Sequence, residues 1–364
     1  MRVSSLYLSD FRCYHEVDVE FPSGCTVVTG ANGQGKTSLL EGITWAATGR
    51  SLRGVPDAVL VAHGADAAIV RVGVNADERR RRIEAEIPSS GRSRVLVDGN
   101  RITRVADRVG VLRTTVFSPD DLMVVKGGPS LRRDLLDGIL TELTPRFAAT
   151  RRDLERVLRQ RNALLKSRAR DSEAIHTLDV FDRQLTEVGG AVVAARLDLV
   201  RRLEPHLVEA YRALAEADTP VRATYASEWL SEPADPAGSL ADALAAARGR
   251  ERDRGVTLVG PQRDDLDCSI GGLASRTHAS QGEQRTLALA LRLGGHRLVA
   301  ADTDDDPVLL LDDVFSELDD RRAAALVEHL PAGQTIVTTA GRLPEGIAVD
   351  RHVVAGEGHL EDVA

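Results

Sequence analysis

The chain has 364 residues, more than one typical domain, and a hydrophobic fraction of 43% that can supply a large core. A formal net charge of −8 argues against a uniformly basic nucleic-acid binder, though not against a local basic face, and 3% aromatics argues against binding by base stacking. Lys36, Lys126 and Lys166 are the three lysines, so nearly all of the 47 basic residues are arginine and a run of arginines carries little weight by itself.

Val3–Leu8 and Val17–Phe21 alternate apolar with polar residues, which predicts strands. Cys25–Thr29 is a short apolar strand running into Gly30, and Leu39, Leu40, Ile43 and Ala47 give a helical stripe from Lys36 to Thr48. Strand patterns return over Ile69–Val74 and Arg81–Ile87, and Asp98-Gly99-Asn100 between Val97 and Ile102 predicts a hairpin turn. Thr114–Phe117 is a further short strand. After Gly127-Gly128-Pro129 the pattern is helical to about Arg250, broken by a Pro-containing loop over Ser231–Gly238. Strands are expected again at Val256–Val259, Val308–Leu311 and Thr335–Thr338, with a crossover helix over Ala323–Leu330.

Cys13, Cys25 and Cys268 are single and far apart, so no zinc site or disulfide frame is expected. The first residues lack a signal-peptide apolar core, and no apolar run approaches a membrane span, so no membrane role and a cytoplasmic location are expected.

Gly30-Ala31-Asn32-Gly33-Gln34-Gly35-Lys36-Thr37 fits the phosphate loop GxxxxGK[ST] between a strand and a helix. Its glycines let backbone N–H groups face phosphate oxygens at a helix N-terminus. Lys36 reaches the β- and γ-phosphates of a nucleoside triphosphate, and the Thr37 hydroxyl can ligate Mg²⁺; ATP itself is implied only by the resemblance that follows. Val308–Leu311 delivers two acids, Asp312 for Mg²⁺ and Asp313 to orient or deprotonate the attacking water. Ser316-Glu317-Leu318-Asp319 follows. Ser280, Gln281, Gly282 and Glu283 open a helix; Ser280 and Glu283 form a capping box, and the same residues can offer donors to a γ-phosphate held by another subunit.

The order of these motifs resembles the ABC-type ATPases, with Asp312 in Walker B, Ser316 and Asp319 in the D-loop and 280–283 as the signature. The resemblance narrows further. Asp10-Phe11-Arg12, GANGQGKTSLLE at 30–41, Ser118–Leu122, Gly127–Pro129 with Arg132-Arg133, Gly260–Asp265, SQGEQRT at 280–286 and LLLDDVFSELD at 309–319 are similar to the RecF family of bacterial recombination-mediator ATPases. The resemblance implies an α/β ABC-type head, residues 1–128 with 256–364, interrupted by a helical lobe over 129–255. It implies an ATP-induced homodimer with Ser280 acting in trans, DNA binding at gaps and single-strand/duplex junctions, and slow hydrolysis. With RecR and RecO as partners, such a protein promotes RecA loading and SOS induction.

Three departures matter. Asp313 stands where the general ABC pattern has Glu, one methylene shorter, which predicts slow turnover. Thr338-Thr339 stands where transporters carry a switch histidine. Gln262 stands where the RecF pattern usually has His. The Q-loop residue falls near Phe117–Asp121. Arg12 is either a nucleotide contact, as its equivalent is in SMC-like heads, or a surface arginine after the first strand. The arginines at 151, 152, 156, 159, 161, 168 and 170, and those at 79–82, are either phosphate contacts or solvated faces. Three other functions stay open: a transporter nucleotide-binding subunit, against which the long stretch from Lys36 to Asp312 argues; another SMC-like head; and a scaffold that binds ATP without turning it over.

Overall fold

The computed structural model describes residues 1–76, 79–104, 106–167 and 172–363. It opens with β1 (Arg2–Phe11), β2 (Tyr14–Glu20), β3 (Cys25–Thr29) and α1 (Lys36–Thr48). A meander of β4 (Ala67–Ala76), β5 (Arg79–Pro88), β6 (Arg94–Val97) and β7 (Asn100–Ile102) leads through α2 (Ala106–Val109) to β8 (Thr114–Phe117). Helices follow: α3 (Leu122–Lys126), α4 (Pro129–Leu143), α5 (Phe147–Ser167) and α6 (Ser172–Ala215). Next come β9 (Val221–Ala226), α7 (Pro236–Arg254), β10 (Asp265–Ile270), β11 (Leu273–Ala274), α8 (Ser275–His278) and α9 (Gln281–Thr303). The last elements are β12 (Val308–Asp312), α10 (Asp320–Glu328), β13 (Thr335–Thr339), β14 (Arg351–Gly356) and β15 (His359–Asp362).

The chain divides into two compact units. The first holds Met1–Leu122, Glu209–Asp218 and Arg285–Ala364; the second holds Met123–Val208 and Thr219–Gln284.

In the first unit an antiparallel sheet runs β2-β1-β4-β5-β6-β7, and a second, largely parallel sheet runs β15-β14-β3-β13-β12-β8. Helix α1 packs against β1, β4 and β5 of one sheet and β8, β12 and β13 of the other. That position explains its sequence, which is buried almost all round from Leu39 to Ala47 rather than along one stripe. The core joins Leu6, Leu8 and Val72 of the first sheet to Leu39, Ile43 and Trp45 of α1, and to Leu310 and Ile336 of the second. The Asp98-Gly99 turn has positive φ at both residues (51° and 78°) with Val97 paired to Asn100, the two-residue turn that suits twisted hairpins.

The second unit is not wholly helical. Val221–Ala226, which the sequence pattern absorbs into helix, is β9, and it pairs antiparallel with β10. Val256–Val259, expected as a strand, lies outside any strand; the extended segment begins at Asp265 instead. Because β10 pairs with β9, residues 256–284 pack in the second unit, so the packing boundary differs from the sequence boundary at 256.

Two motifs of the sequence make joints in this unit. Arg132 grips Asp265 through two hydrogen bonds of 2.7 and 2.8 Å and donates to the carbonyls of Val124 and Gly127, closing the end of α3. Asp264 accepts from Tyr225 Oη at 2.6 Å and Trp229 Nε1 at 2.7 Å. Arg196 of α6 makes a bidentate pair with Asp137 of α4 and donates to the Pro261 carbonyl. Gln262 donates to the Val259 carbonyl at 2.8 Å. Breaking one partner of a buried pair costs about 3–5 kcal/mol, so these contacts fix the fold whatever their net worth.

The arginines that crowd α5 are largely engaged inside the unit. Arg161 is fully buried against Glu251 (2.6 Å), Asp182 (2.7 Å) and Thr257 (2.9 Å). Arg151 pairs with Asp134, Asp137 and Glu155, and Arg156 with Asp153. Arg168 and Arg170 lie outside the described residues.

Candidate active site

Gly30–Thr37 bridges β3 and α1. Gly35, at the N-cap of α1, has φ of 91°, and a Cβ there would stand 2.6 Å from Cys13 Sγ and 2.8 Å from Tyr14 Oη. Only glycine meets both demands, which is why the loop can turn tightly over the β1–β2 hairpin. The first N–H groups of α1 have no acceptor within the helix and sit at its positive end. Asn32, Gly33, Gly35, Lys36, Thr37 and Ser38 line one side of a cavity of about 460 Å³. Gln34 turns the other way and accepts a hydrogen bond from the Glu357 N–H at 2.5 Å, tying the loop to the β14–β15 hairpin.

Lys36 is 7% exposed, and its Nζ donates to the Gly30 and Ala31 carbonyls at 2.7 and 2.9 Å. Burial lowers its pKa, while Asp313 and Asp312 act the other way. An ammonium parked on loop carbonyls is free to exchange them for phosphate oxygens.

Asp312 ends β12, between β13 and β8. Its Oδ1 accepts two hydroxyls, Thr37 Oγ1 at 2.8 Å and Thr338 Oγ1 at 2.7 Å. Burial raises its pKa, and the two hydroxyls oppose that shift. A desolvated carboxylate beside a hydroxyl, with Asp313 next to it, is a hard oxygen donor set. Magnesium takes one or two such protein ligands and completes its shell with phosphate and water, so these residues fit it.

Asp313 has a left-handed backbone (φ 50°), unusual for a residue other than glycine. Its N–H donates to the Thr338 carbonyl at 2.9 Å, and its Oδ1 faces the Ala340 N–H at 3.3 Å and Thr339 Oγ1 at 3.5 Å. Thr338 and Thr339 therefore orient the two acids. The sequence marked the two threonines only as standing where a switch histidine is absent; their role with the acids comes from the parallel register that places Thr338 beside Asp312.

Arg12 is neither loose nor remote. It lines the cavity and is held by Glu41 of α1 at 2.8 and 3.0 Å and by the Val59 carbonyl at 3.1 Å. Glu41 is fully buried and also accepts from Ser51 Oγ at 2.5 Å. Arg53, which no motif flagged, lines the same cavity and acts electrostatically on Asp312.

Ser316 Oγ donates to the Asp313 carbonyl at 2.8 Å, and Asp319 caps α10 by accepting the Arg322 N–H at 2.9 Å. Glu317 pairs with Arg285. Asp121, in the stretch assigned to the Q-loop, is buried, caps Ser118 and takes Arg292 at 2.7 Å.

Ser280–Glu283 belongs to the second unit, at the start of α9. The capping box is formed: the Ser280 N–H and Oγ donate to Glu283 Oε2 at 2.8 Å each, and the Glu283 N–H returns to Ser280 Oγ at 3.3 Å. Gln284 anchors the turn on the Ser275 carbonyl.

The family model for the RecF/RecN/SMC N-terminal domain matches residues 2–342. A protein named DNA replication and repair protein RecF from Streptomyces avermitilis is 41% identical, with all of both chains covered. The chain belongs to the RecF family. The solved structure of the recombination mediator protein RecF with ATP in the RecFOR pathway superposes with a TM-score of 0.91 at 28% identity, covering 100% of this chain and 97% of that one. An Smc head bound to the C-terminal winged-helix domain of ScpA gives 0.60 at 18% identity over 100% and 97%, a likeness of fold alone. The fold is thus the α/β ABC-type ATPase head that the RecF motifs implied. Among the described residues no helix is long and apolar enough to cross a membrane.

Proposed function

We propose that this RecF-family chain is an ATP-dependent DNA-binding protein of recombinational repair and replication. It is a weak, DNA-dependent ATPase in which nucleotide binding and dimerisation matter more than turnover. The observation that carries this reading is the convergence of Thr37, Asp312 and Asp313 on the cavity that the phosphate loop lines.

Gly30–Thr37 wraps the β- and γ-phosphates with backbone N–H groups, and Lys36 leaves its two carbonyls to bridge them. Thr37 and Asp312 would hold Mg²⁺, which would supply positive charge to neutralise the phosphoryl group being transferred. Asp313 accepts the proton of the water whose oxygen attacks the γ-phosphorus, and ADP leaves. Its short side chain, tethered by the Ala340 N–H, keeps this step slow. Arg12, fixed by Glu41, contributes positive charge at the cavity rim.

Ser280, Gln281, Gly282 and Glu283 of one copy complete the site of a second, so ATP joins two copies head to tail, with Ser316 and Asp319 at the seam. The closed homodimer binds DNA at gaps and single-strand/duplex junctions. With RecO and RecR it promotes RecA loading and SOS induction. The relatives' names support the role in replication and repair, and the RecFOR pathway of the ATP-bound relative supports RecO and RecR as partners.

Sedimentation with ATP, ADP or no nucleotide tests the core of this reading. ATP should yield dimers and ADP monomers, Ser280→Arg should stay monomeric with ATP, and Asp313→Asn should accumulate an ATP-bound dimer. A protein that remains monomeric with ATP at every concentration refutes the dimer.

A further inference from the structure

The nucleotide site makes no use of the outer face of the first sheet. Along β4 and β5, Val70, Val72, Val74, Ile83 and Ala85 turn into the core, so Gly73 and Asn75, and Arg80 and Arg82, turn outward. Strand register aligns them in two rows. Arg2, Asn75 and Arg80 make one, and Ser5, Gly73 and Arg82 make the next. Gly73 lets the serine hydroxyls of β1 approach its backbone closely, since a Cβ there would stand 2.6 Å from Ser5 Oγ and 2.7 Å from Ser4 Oγ. The groove there measures about 810 Å³, and a second of about 540 Å³ shares Asn75 and Arg80 with it and adds Arg2 and Arg79.

Acids also line the grooves, and two of them already accept hydrogen bonds. Asp98 holds Arg81 and the Arg82 N–H, and Asp350 accepts from the Cys25 N–H. Glu20 and Asp306 also line the grooves, and Arg82 lies 3.2 Å from Glu84. Arg2, Arg79 and Arg80 are exposed, with no ion-pair partner among the described residues.

We propose that this face binds the sugar–phosphate backbone of duplex DNA. Arg2, Arg79, Arg80 and Arg82 contact phosphates there, and Ser5 and Asn75 add hydrogen bonds; the proposal rests on the DNA-binding reading above. Arg80 and Arg82 are about 6.8 Å apart along β5, and Arg2 is about 9.5 Å from Arg80 across two strands. Successive phosphates rise about 3.4 Å per strand, so the rows span several of them, more than a mononucleotide offers. Contacts of this kind position a duplex without reading its sequence.

The test is duplex binding with ATP by fluorescence anisotropy between about 50 and 200 mM salt, for the wild type and Arg2→Ala/Arg80→Ala/Arg82→Ala. Each lost phosphate contact should flatten the slope of log K against log salt by about 0.9, so the triple variant should lose about 2 to 3. ATP binding and thermal midpoint should hold. The matching Lys variants should keep the slope. Arg79→Ala/Arg80→Ala, at two exposed positions, serves if the triple variant folds poorly, and should lose about 2. A native slope in the alanine variants overturns this face as the site while leaving DNA binding intact. A wild type that fails to bind duplex with ATP removes the proposal together with the reading beneath it.

Discussion

Thr338→Val probes the site through a residue that need touch neither nucleotide nor water. The change keeps shape and removes one hydroxyl, the one that donates to Asp312 Oδ1 at 2.7 Å from a fully buried position. A hydrogen bond to a charged group contributes about 1.5–3 kcal/mol. Without it, the buried carboxylate keeps one of its two hydroxyl donors, Thr37, which must also serve the cation. Burial already raises the Asp312 pKa, and losing a donor raises it further, which weakens the ionised form that Mg²⁺ requires. If the full 1.5–3 kcal/mol is felt in the transition state, turnover falls about 10- to 150-fold. The assay is steady-state ATP hydrolysis with gapped DNA across a Mg²⁺ titration. Thr338→Val should need more Mg²⁺ and turn over more slowly at saturation, and Thr338→Ser should behave as wild type. Wild-type rate and Mg²⁺ dependence in the Val variant would refute the argument that this threonine orients the acid.

Gly35→Ala places a Cβ against Cys13 Sγ and Tyr14 Oη at a φ of 91°, so a cost of about 2–4 kcal/mol is expected from strain and overlap together, read as a lower thermal midpoint and lost ATP binding by calorimetry. Asp312→Asn removes a charge that burial disfavours. Its folded pKa is raised, so ionisation weakens the fold as pH rises through that value. The variant should melt higher than wild type at pH 7 without nucleotide, with the gap closing as pH falls, and be inactive in hydrolysis. His296 is buried with Nδ1 on Thr115 Oγ1 at 2.9 Å, and burial pushes its pKa down to about 4. Its neutral form thus stabilises the fold above the ordinary value near 6.5. That contribution is lost as pH falls from there towards 4, on the order of 3 kcal/mol in all, and denaturant unfolding of His296→Gln should show a flatter profile across that window.

The parts of the site that could be read in the sequence are those where chemistry and chain neighbourhood coincide. Gly30–Thr37 carries strand, turn, cation and hydroxyl in one run, and Asp312-Asp313 sits directly on its apolar strand. Thr338 could not be found that way, because its role exists only when β13 lies parallel to β12 in a register that pairs it with Asp312. The same applies to Arg161, which the sequence left between a phosphate contact and a solvated face. Its burial depends on Glu251, 90 residues away, and no local pattern announces that. β9 was hidden for a different reason. Val221–Ala226 is six residues long, with only Val221 and Ala223 buried, too short a period-two pattern to stand out beside a helix of 44 residues. Val256–Val259 misled in the opposite sense, since an apolar run becomes a strand only where a neighbour offers unpaired N–H and C=O groups.

Arg12 shows how the two sources combine. Sequence left it between a nucleotide contact and a surface arginine, and the structure places it at the cavity while tying it to Glu41 in α1. Glu41 is fully buried, so removing Arg12 would leave a buried carboxylate short of its guanidinium partner inside the helix that carries Lys36 and Thr37. An Arg12→Ala variant therefore confounds lost phosphate attraction with a loosened helix. Arg12→Lys separates the two, because an ammonium keeps the charge yet cannot form the two-pronged grip on Glu41. If Arg12 acts on the nucleotide directly, the Lys variant keeps most ATP affinity and loses thermal stability. If its work is to hold α1, affinity and stability fall together, and the cavity's positive rim is then left to Arg53 and Lys36.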